Sequence, residues 1–268
     1  MIVRASESQH WYTKTGDPAY TVKNKDGHQR PTTLRDARKL GLVPSVTTII
    51  KCAASPGLEA WKLQQMMLAA LTLPRAPEES EESFISRIQA DSKEQAKMAA
   101  ERGSEVHAAL ESFFETRHVH SRHSDIVLRT EESVVKHFGD LEWCVEKSFG
   151  HSMGFGGKVD LHSRDGQGVV ADFKTKEFTT ENMDKVQGYS EHAMQLAAYR
   201  MGLGLPNARC ANVFVSVTQP GLVVIREWEE KDLVQAWKMF SALFEYWKAK
   251  TSYEPSTPLQ PPDHKGEK

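Results

Sequence analysis

The sequence predicts an α/β fold of the α+β kind, in which a central mixed sheet is flanked by helices and preceded by a region of short strands and helices. The order of elements in the second half of the chain favours it: a helix, three strands, a helix, one or two strands and a closing helix. A content of 39% hydrophobic and 26% charged residues is that of a soluble globular protein. A length of 268 residues suits one decorated domain.

Residues 1–94 are predicted to form the N-terminal decoration. HWYTKTGDPAYTVKNKDG combines strand-forming residues with Gly-Asp and Asp-Gly turns, and PSVTTII follows with Ser45 placed to cap a short helix. GLEAWKLQQMMLAALTL has helical composition, and it ends at PRAPEESEES, which reads as a solvated loop.

Residues 95–252 are predicted to form the core, and residues 253–268, rich in Pro and charge, a flexible tail. A helix is expected from about Glu82 through ERGSEVHAALESFFETR, and another helix and a strand within TEESVVKHFGDLEWCVEKSF. KVDLHS and GVVADFKTK alternate as the strands of a hairpin whose turn is RDGQG. The remaining helices and strands are expected at DKVQGYSEHAMQLAAYRMGLG, ANVFVSVT, LVVIREW and DLVQAWKMFSALFEYWKAK.

The hairpin places three ionisable side chains around its turn. Residues two apart on a strand face the same way, so Asp172 and Lys174 share one face. Antiparallel pairing brings Asp160 close to Asp172, where two carboxylates repel each other unless a cation or a proton intervenes. A hard divalent ion such as Mg²⁺ meets that need, and the Phe173 carbonyl is a further candidate ligand.

Lys174 would then position or help deprotonate a metal-bound water, an arrangement suited to hydrolysing a phosphodiester. The alternative is an exposed hairpin whose Asp and Lys side chains form ordinary surface ion pairs. The hairpin alone leaves both interpretations open.

Four segments in sequence order make the chain resemble the PD-(D/E)XK nuclease superfamily, and within it the RecB-like nucleases. GKVD and ADFKTK match the superfamily's G-x-x-D and D-x-K elements. RGSEVHAALE resembles the upstream G-[ST]-x-x-H motif, and QLAAY resembles the downstream Q-x-x-x-Y motif. The resemblance covers residues 95–217 and implies a restriction-endonuclease-like core. Upstream, VPSVTTII and the following helix with Trp61 resemble the N-terminal portion of the phage and mitochondrial genome maintenance exonucleases.

The resemblance also implies roles for individual residues. His107, Asp160 and Asp172 become metal ligands, and Lys174, Asp160, Asp172, Gln195 and Tyr199 become the catalytic set. His107 is otherwise a satisfied core histidine, and Gln195 and Tyr199 a partly buried polar stripe on a helix. Glu146, in the strand before the hairpin, either reaches the metal or is an ordinary strand-surface residue.

The activity implied is that of a DNA exonuclease that hydrolyses phosphodiester bonds with Mg²⁺ or Mn²⁺ through a metal-activated water and prefers single-stranded ends. The candidate nucleic-acid contacts are Arg102, Lys158, Lys176, Lys185, Gln195, Tyr199 and Arg200. The region before residue 95 is expected to roof a DNA channel, where Trp11, Tyr12 and Trp61 either stack on bases or belong to the core. DNA with a free end is the expected partner, with a recombination, repair or replication protein as a further one.

Composition sets further expectations. A net charge of −2 confines any nucleic-acid surface to a local patch, and no apolar run reaches membrane-spanning length. The N-terminus lacks a secretory signal pattern, which favours the cytoplasm of a bacterial or phage-infected cell. Cys52, Cys144 and Cys210 form no CxxC pair and there is no GxxxxGK[ST] segment, so neither an iron-sulfur cluster nor a bound nucleotide is expected.

Three alternatives to an exonuclease remain open. One is a structure-selective or duplex-cutting DNA endonuclease on the same core. Another is a non-catalytic nucleic-acid-binding subunit, and the last is a structural protein with no role on nucleic acid. A circular single-stranded substrate distinguishes the first, since an obligate exonuclease leaves it intact.

Overall fold

The computed structural model describes residues 10–119, 121–164 and 168–255, and it confirms the predicted α/β class. The strands are β1 (Trp11–Tyr12), β2 (Thr21–Lys23), β3 (Gln29–Pro31), β4 (Val43–Pro44), β5 (Trp143–His151), β6 (Phe155–Ser163), β7 (Val169–Lys176), β8 (Arg209–Ser216) and β9 (Val223–Glu227). The helices are α1 (Leu34–Leu40), α2 (Val46–Ile50), α3 (Pro56–Thr72), α4 (Glu81–Thr116), α5 (Ser124–Phe138), α6 (Ser190–Gly202) and α7 (Glu230–Thr251).

The central sheet has five strands in the order β5-β6-β7-β8-β9. Neighbouring strands are antiparallel except β7 and β8, which run parallel in a register from Val169 opposite Arg209 to Lys176 opposite Ser216. A parallel pair needs a long crossover, and α6 supplies it. The sheet is therefore mixed, as predicted, and β7 lies at its centre.

Alternate residues of β7 enter different hydrophobic clusters. Val170 packs in a cluster with residues of α6 and α7, whereas Ala171 and Phe173 pack in another with residues of α4 and α5. Because strand side chains alternate between the two faces, Asp172 and Lys174 lie on the α6 side of the sheet.

The first described residues pack on the side of the sheet that carries α6 and α7. Trp11 is fully buried, and its ring centroid lies 6.1 Å from that of Trp247 in α7. The predicted cap on α2 is confirmed, since the Ser45 hydroxyl accepts the backbone N–H of Thr48. The predicted boundary at residues 94 and 95 falls inside α4, which is a continuous helix.

Helices α3 and α4 form a hairpin that straddles the C-terminal end of β7. The Ser55 hydroxyl, just before α3, donates to the Glu191 carboxylate in the first turn of α6 at 2.7 Å. On the opposite face of the sheet α4 lies against β7, because a Cβ built on Gly103 would be 2.9 Å from the Thr175 hydroxyl. We call residues 56–103 the helical arch; of the α3 residues only Ala69 is buried.

Two predicted features fall partly outside the described residues. Residues 165–167 of the predicted RDGQG turn and residues 256–268 of the predicted tail lie outside the residues that the structure describes. Among the helices that the structure describes, none is both long and apolar enough to cross a membrane.

Candidate active site

The candidate site lies where β6 and β7 separate. Among the described residues, the two strands pair at Leu161 with Ala171 and at His162 with Val170. Beyond these pairs β6 continues along β5, and β7 continues along β8. In the gap, the Asp160 carboxylate accepts the backbone N–H of Phe173 at 2.8 Å, so a side chain takes the place of the missing strand ladder.

Asp172 and Lys174 form an ion pair on the α6 side of β7. The Lys174 ammonium lies 2.5 Å from the Asp172 Oδ2 atom, and the Asp172 side chain is only 2% exposed. The Lys174 side chain, at 25%, keeps a path to solvent. A buried carboxylate is costly unless it is paired and hydrogen-bonded, and this one is both.

Helix α6 brings Gln195 and Tyr199 to this pair. The Gln195 amide donates to Asp172 Oδ1 at 2.9 Å and to the Tyr199 hydroxyl at 2.9 Å, and its oxygen accepts from the Lys174 ammonium at 3.1 Å. The two residues are four apart, so they share one helix face. The structure thus brings together four residues predicted as catalytic.

Asn212 and Trp228 also contact the site, and sequence reasoning missed both. The amide of Asn212, on β8, donates to Asp172 Oδ2 at 3.0 Å, and its oxygen accepts from the Trp228 indole at 2.9 Å. Asn212 is fully buried in the middle of β8, between the buried apolar residues Ala211 and Val213. Since buried polar groups require partners, that isolated Asn in ANVFVSV was the available signal.

His192, one turn before Gln195, is a further residue that the sequence did not single out. Its Nδ1 atom accepts the backbone N–H of Tyr189 at 3.2 Å. Burial, followed by the charge of Lys174, lowers the pKa of His192 to about 4. The ring is therefore neutral at physiological pH and adds no second positive charge beside Lys174.

His107 reaches the site from α4. Its Nδ1 atom is 3.6 Å from Asp160 Oδ2, which is longer than a hydrogen bond, and its ring stands edge-on to that of Phe173. Burial lowers the pKa of His107 against an opposing effect of Asp172. A neutral imidazole of this kind is able to act as a metal ligand.

Asp160 and Asp172 are close enough to affect each other's charge, and Lys174 pairs with Asp172. Burial raises the pKa of Asp160 and the charge of Asp172 raises it further, while Lys174 and the Phe173 N–H act in the opposite direction. Two carboxylates in one poorly solvated site resist joint ionisation unless additional positive charge arrives. The site therefore has a deficit of positive charge.

A hard divalent cation fits this deficit. In the part of the chain that the structure describes, no group of three or more His, Cys, Asp or Glu side chains is arranged to hold a metal ion. Mg²⁺, however, is commonly held by one or two carboxylates and keeps several waters. Asp160 and Asp172 are the two carboxylates that could hold it, and they stay predicted ligands together with His107, Glu146 and the Phe173 carbonyl.

Glu146 occupies a strained position beside Asp160. The pairs Val145 with Leu161 and Lys147 with Val159 flank it, so Glu146 stands opposite Asp160 without a ladder bridge of its own. Its φ of 51° is in the left-handed region, which is costly for a residue with a side chain. Its carboxylate contacts the Lys158 ammonium.

Three of the predicted phosphate contacts lie on elements that form the site. Lys158 is on β6, two residues before Asp160. The Lys176 ammonium, at the end of β7, contacts the Tyr189 hydroxyl at 3.2 Å. Arg102, in the arch, lies 3.6 Å from the exposed carboxylate of Glu177.

The other two predicted contacts lie elsewhere. The Arg200 side chain is 5% exposed, and its guanidinium forms a bidentate pair with Glu230 of α7 at 2.7 and 2.9 Å. The Arg200 guanidinium thus links α6 to α7 and does not lie in the candidate site. Lys185 is exposed in a short 3-10 helix between β7 and α6.

Similarity to known proteins is distant. No protein-family model matches the chain, and no curated protein matches its sequence. An alkaline exonuclease from Laribacter hongkongensis is 15% identical with a TM-score of 0.35, and the match covers 56% of this chain and 81% of that protein. A protein from Eubacterium rectale described as a candidate exonuclease is 15% identical with a TM-score of 0.40, over 56% of this chain and 68% of that protein. Likeness at this level assigns neither an activity nor a site, so membership of the PD-(D/E)XK superfamily stays a prediction.

Proposed function

We propose that the protein is a metal-dependent DNA exonuclease that hydrolyses phosphodiester bonds at single-stranded ends. One observation carries the proposal: Asp160, Asp172 and Lys174 meet where β6 and β7 separate. The buried Asp172 and the partly buried Asp160 share one lysine, so a divalent cation would supply the missing positive charge and would in turn bind a phosphate oxygen of the substrate.

Each residue of the site has a separate role in the proposed hydrolysis. Asp160 and Asp172 would hold a divalent cation, which when bound supplies positive charge at the phosphoryl oxygens and a more acidic water. Lys174, already within hydrogen-bond distance of Asp172 and Gln195, orients the attacking water and stabilises charge that develops on the phosphate. Gln195 fixes the lysine and the carboxylate at once.

The helical arch supports the preference for strand ends. The start of the arch is bonded to Glu191 through Ser55, and its end at Gly103 packs on Thr175 on the opposite face of the sheet. The arch therefore spans the end of β7 that carries Lys174. A flexible single strand can pass beneath such a span, whereas a duplex is much wider. An end that threads through the arch presents its phosphates to the site one after another.

Replacing Lys174 tests the catalytic assignment. We expect Lys174→Met to lower the cleavage rate of single-stranded DNA by at least about 100-fold, because it removes a charged group that acts in the transition state. Lys238→Met, at an exposed position on α7, is the matched control and should cleave like the wild type. Full activity of the Lys174 variant would refute the assignment.

Substrate topology tests the exonuclease assignment. With Mg²⁺, end-labelled linear single-stranded DNA should be degraded, and a circular strand of the same sequence should persist because it has no end to thread. An excess of chelator should stop all cleavage. Cutting of the circle would favour the endonuclease, and binding without any cleavage would favour the non-catalytic subunit.

A further inference from the structure

Two aromatic rings stack on each other at the surface of the N-terminal region. The His10 and Tyr20 ring centroids are 4.7 Å apart with an angle of 30° between the planes. His10 is exposed and Tyr20 half-buried, whereas Trp11 and Tyr12, the aromatic residues that the sequence offered for stacking, are buried. The rings available to a ligand in this segment are therefore those of His10 and Tyr20.

The pair is held in place from both sides. The Tyr20 hydroxyl is 2.6 Å from that of Tyr12, and the two rings meet edge to face. The backbone carbonyl of His10 accepts the N–H of Ser45 at 2.9 Å. A ring pair fixed in this way loses little freedom when a planar ligand binds to it.

The pair also lies close to the candidate site. Tyr12 packs on β6, since a Cβ built on Gly156 would be 2.9 Å from the Tyr12 Cβ. Lys51 ends α2, whose Ser45 N–H bonds to the His10 carbonyl, and Lys158 lies two residues after Gly156, against which Tyr12 packs. Burial first, and then the charges of Lys51 and Lys158, lower the pKa of His10, so its ring is neutral at pH 7. The charge of Lys158 also lowers the pKa of Asp160.

We propose that His10 and Tyr20, flanked by Lys51 and Lys158, form a subsite that stacks one unpaired base of the bound strand beside the phosphate to be cleaved. The inference rests on the proposed function and adds a specific substrate contact to it. Every base has a π-face, so a stacking site of this kind accepts any sequence, as an exonuclease requires. The lysines would neutralise the phosphates on either side of the stacked base.

The test compares three variants for binding of a fluorescent 12-nucleotide single strand, with Ca²⁺ in place of Mg²⁺ to suppress turnover. His10→Ala should weaken binding by about 5- to 150-fold, the range for loss of one base stack. His10→Phe keeps a ring and should bind within a few-fold of the wild type. His28→Ala, at another exposed histidine of the same region, should bind unchanged.

An abasic scan separates stacking from a merely structural role. A single abasic nucleotide is moved along the strand, and one position should weaken wild-type binding by the same factor as His10→Ala. At that position His10→Ala should cause no further loss. Equal binding by His10→Ala and the wild type, or the same loss at every abasic position, would overturn the subsite while leaving the exonuclease intact. If the wild type binds no single strand, both the subsite and the proposed function fail.

Discussion

At the scale of the residue, Asp172 depends on donors from three separate elements. Lys174 comes from β7, Gln195 from α6 and Asn212 from β8. Trp228 in turn fixes the Asn212 amide by donating to its oxygen. Residues that donate hydrogen bonds to a metal-binding carboxylate without touching the metal set the orientation and basicity of that carboxylate. We therefore propose that Asn212 is a positioning residue for Asp172.

Asn212→Ala should lower both activity and apparent Mn²⁺ affinity by about 10- to 100-fold, the usual effect of losing a partner of a metal ligand. Trp228→Phe, which removes only the donor to Asn212, should have a smaller effect in the same direction. Titration of each variant with Mn²⁺, followed by protein fluorescence, measures affinity independently of turnover.

Asn207→Ala, at an exposed position just before β8, serves as the control and should match the wild type. A purely structural role for Asn212 would show as a lower melting temperature with unchanged Mn²⁺ affinity. That result would contradict the positioning role.

Asn212 also shows why part of the site could not be predicted from sequence. The strand that contains it was predicted, and an Asn between apolar neighbours is visible by inspection. Its meaning depends on β8 running parallel to β7 with Asn212 opposite Asp172. That pairing joins residues 40 positions apart through a crossover helix, and no local pattern encodes it.

At the scale of the element, α1 shows how a short helix is held at its start. Thr33 and Asp36 form a capping box, in which each side chain accepts the other's backbone N–H. Arg30 binds the same Asp36 carboxylate through two nitrogens, at 2.7 and 2.8 Å. Arg30 first, and then the Thr33 hydroxyl, hold the pKa of Asp36 well below its usual range.

Asp36→Asn should lower the free energy of unfolding by about 0.5–1 kcal/mol at pH 7, because it removes one charge of a partly exposed pair. A carboxyl with a depressed folded pKa stabilises the protein above its unfolded pKa of about 3.9, and this contribution is lost as the pH falls below that value. Urea unfolding should thus give a constant difference from the wild type between pH 7 and 5, and a shrinking one below pH 4. Asp26→Asn, in an exposed turn, should show no such difference.

The β6-β7 hairpin marks another limit of prediction at this scale. Period-two alternation correctly placed Asp172 and Lys174 on one face. Antiparallel pairing was expected to bring Asp160 close to Asp172, whereas the ladder stops one residue short, at Leu161 and Ala171, and the Asp160 carboxylate bonds to the Phe173 N–H. The departure coincides with the left-handed backbone of Glu146 opposite Asp160, a tertiary feature that sequence periodicity does not reveal.

At the scale of the whole molecule, three distant parts of the chain converge on one end of the sheet. The arch spans that end, the His10 and Tyr20 rings belong to the segment that packs on β6, and β6, β7 and α6 supply the charged and polar groups of the site. The motifs between residues 103 and 199 predicted the last of these. A roof formed by the region before residue 95 was also predicted and stays a prediction, whereas the outward-facing His10 and Tyr20 rings depend on how residues 10–45 pack, which no local pattern encodes.

The gap between β6 and β7 has a consequence for the thermal stability of the molecule. Burial and then the charge of Asp172 raise the pKa of Asp160 there, and each pKa unit by which a carboxyl is raised costs about 1.4 kcal/mol once it ionises. Asp160→Asn keeps an oxygen for the Phe173 N–H but removes the repulsion. We expect this variant to melt several degrees higher than the wild type in chelator at pH 8, at about 2–4 °C for each kcal/mol.

Asp140→Asn, at an exposed position, should leave the melting temperature unchanged. Adding Mg²⁺ should raise the melting temperature of the wild type and do little for Asp160→Asn, which would also be inactive. A lower melting temperature for Asp160→Asn in chelator would show that the two carboxylates do not oppose folding. If so, the two carboxylates that catalysis requires lower the melting temperature of the protein, and binding of the cation raises it again in part.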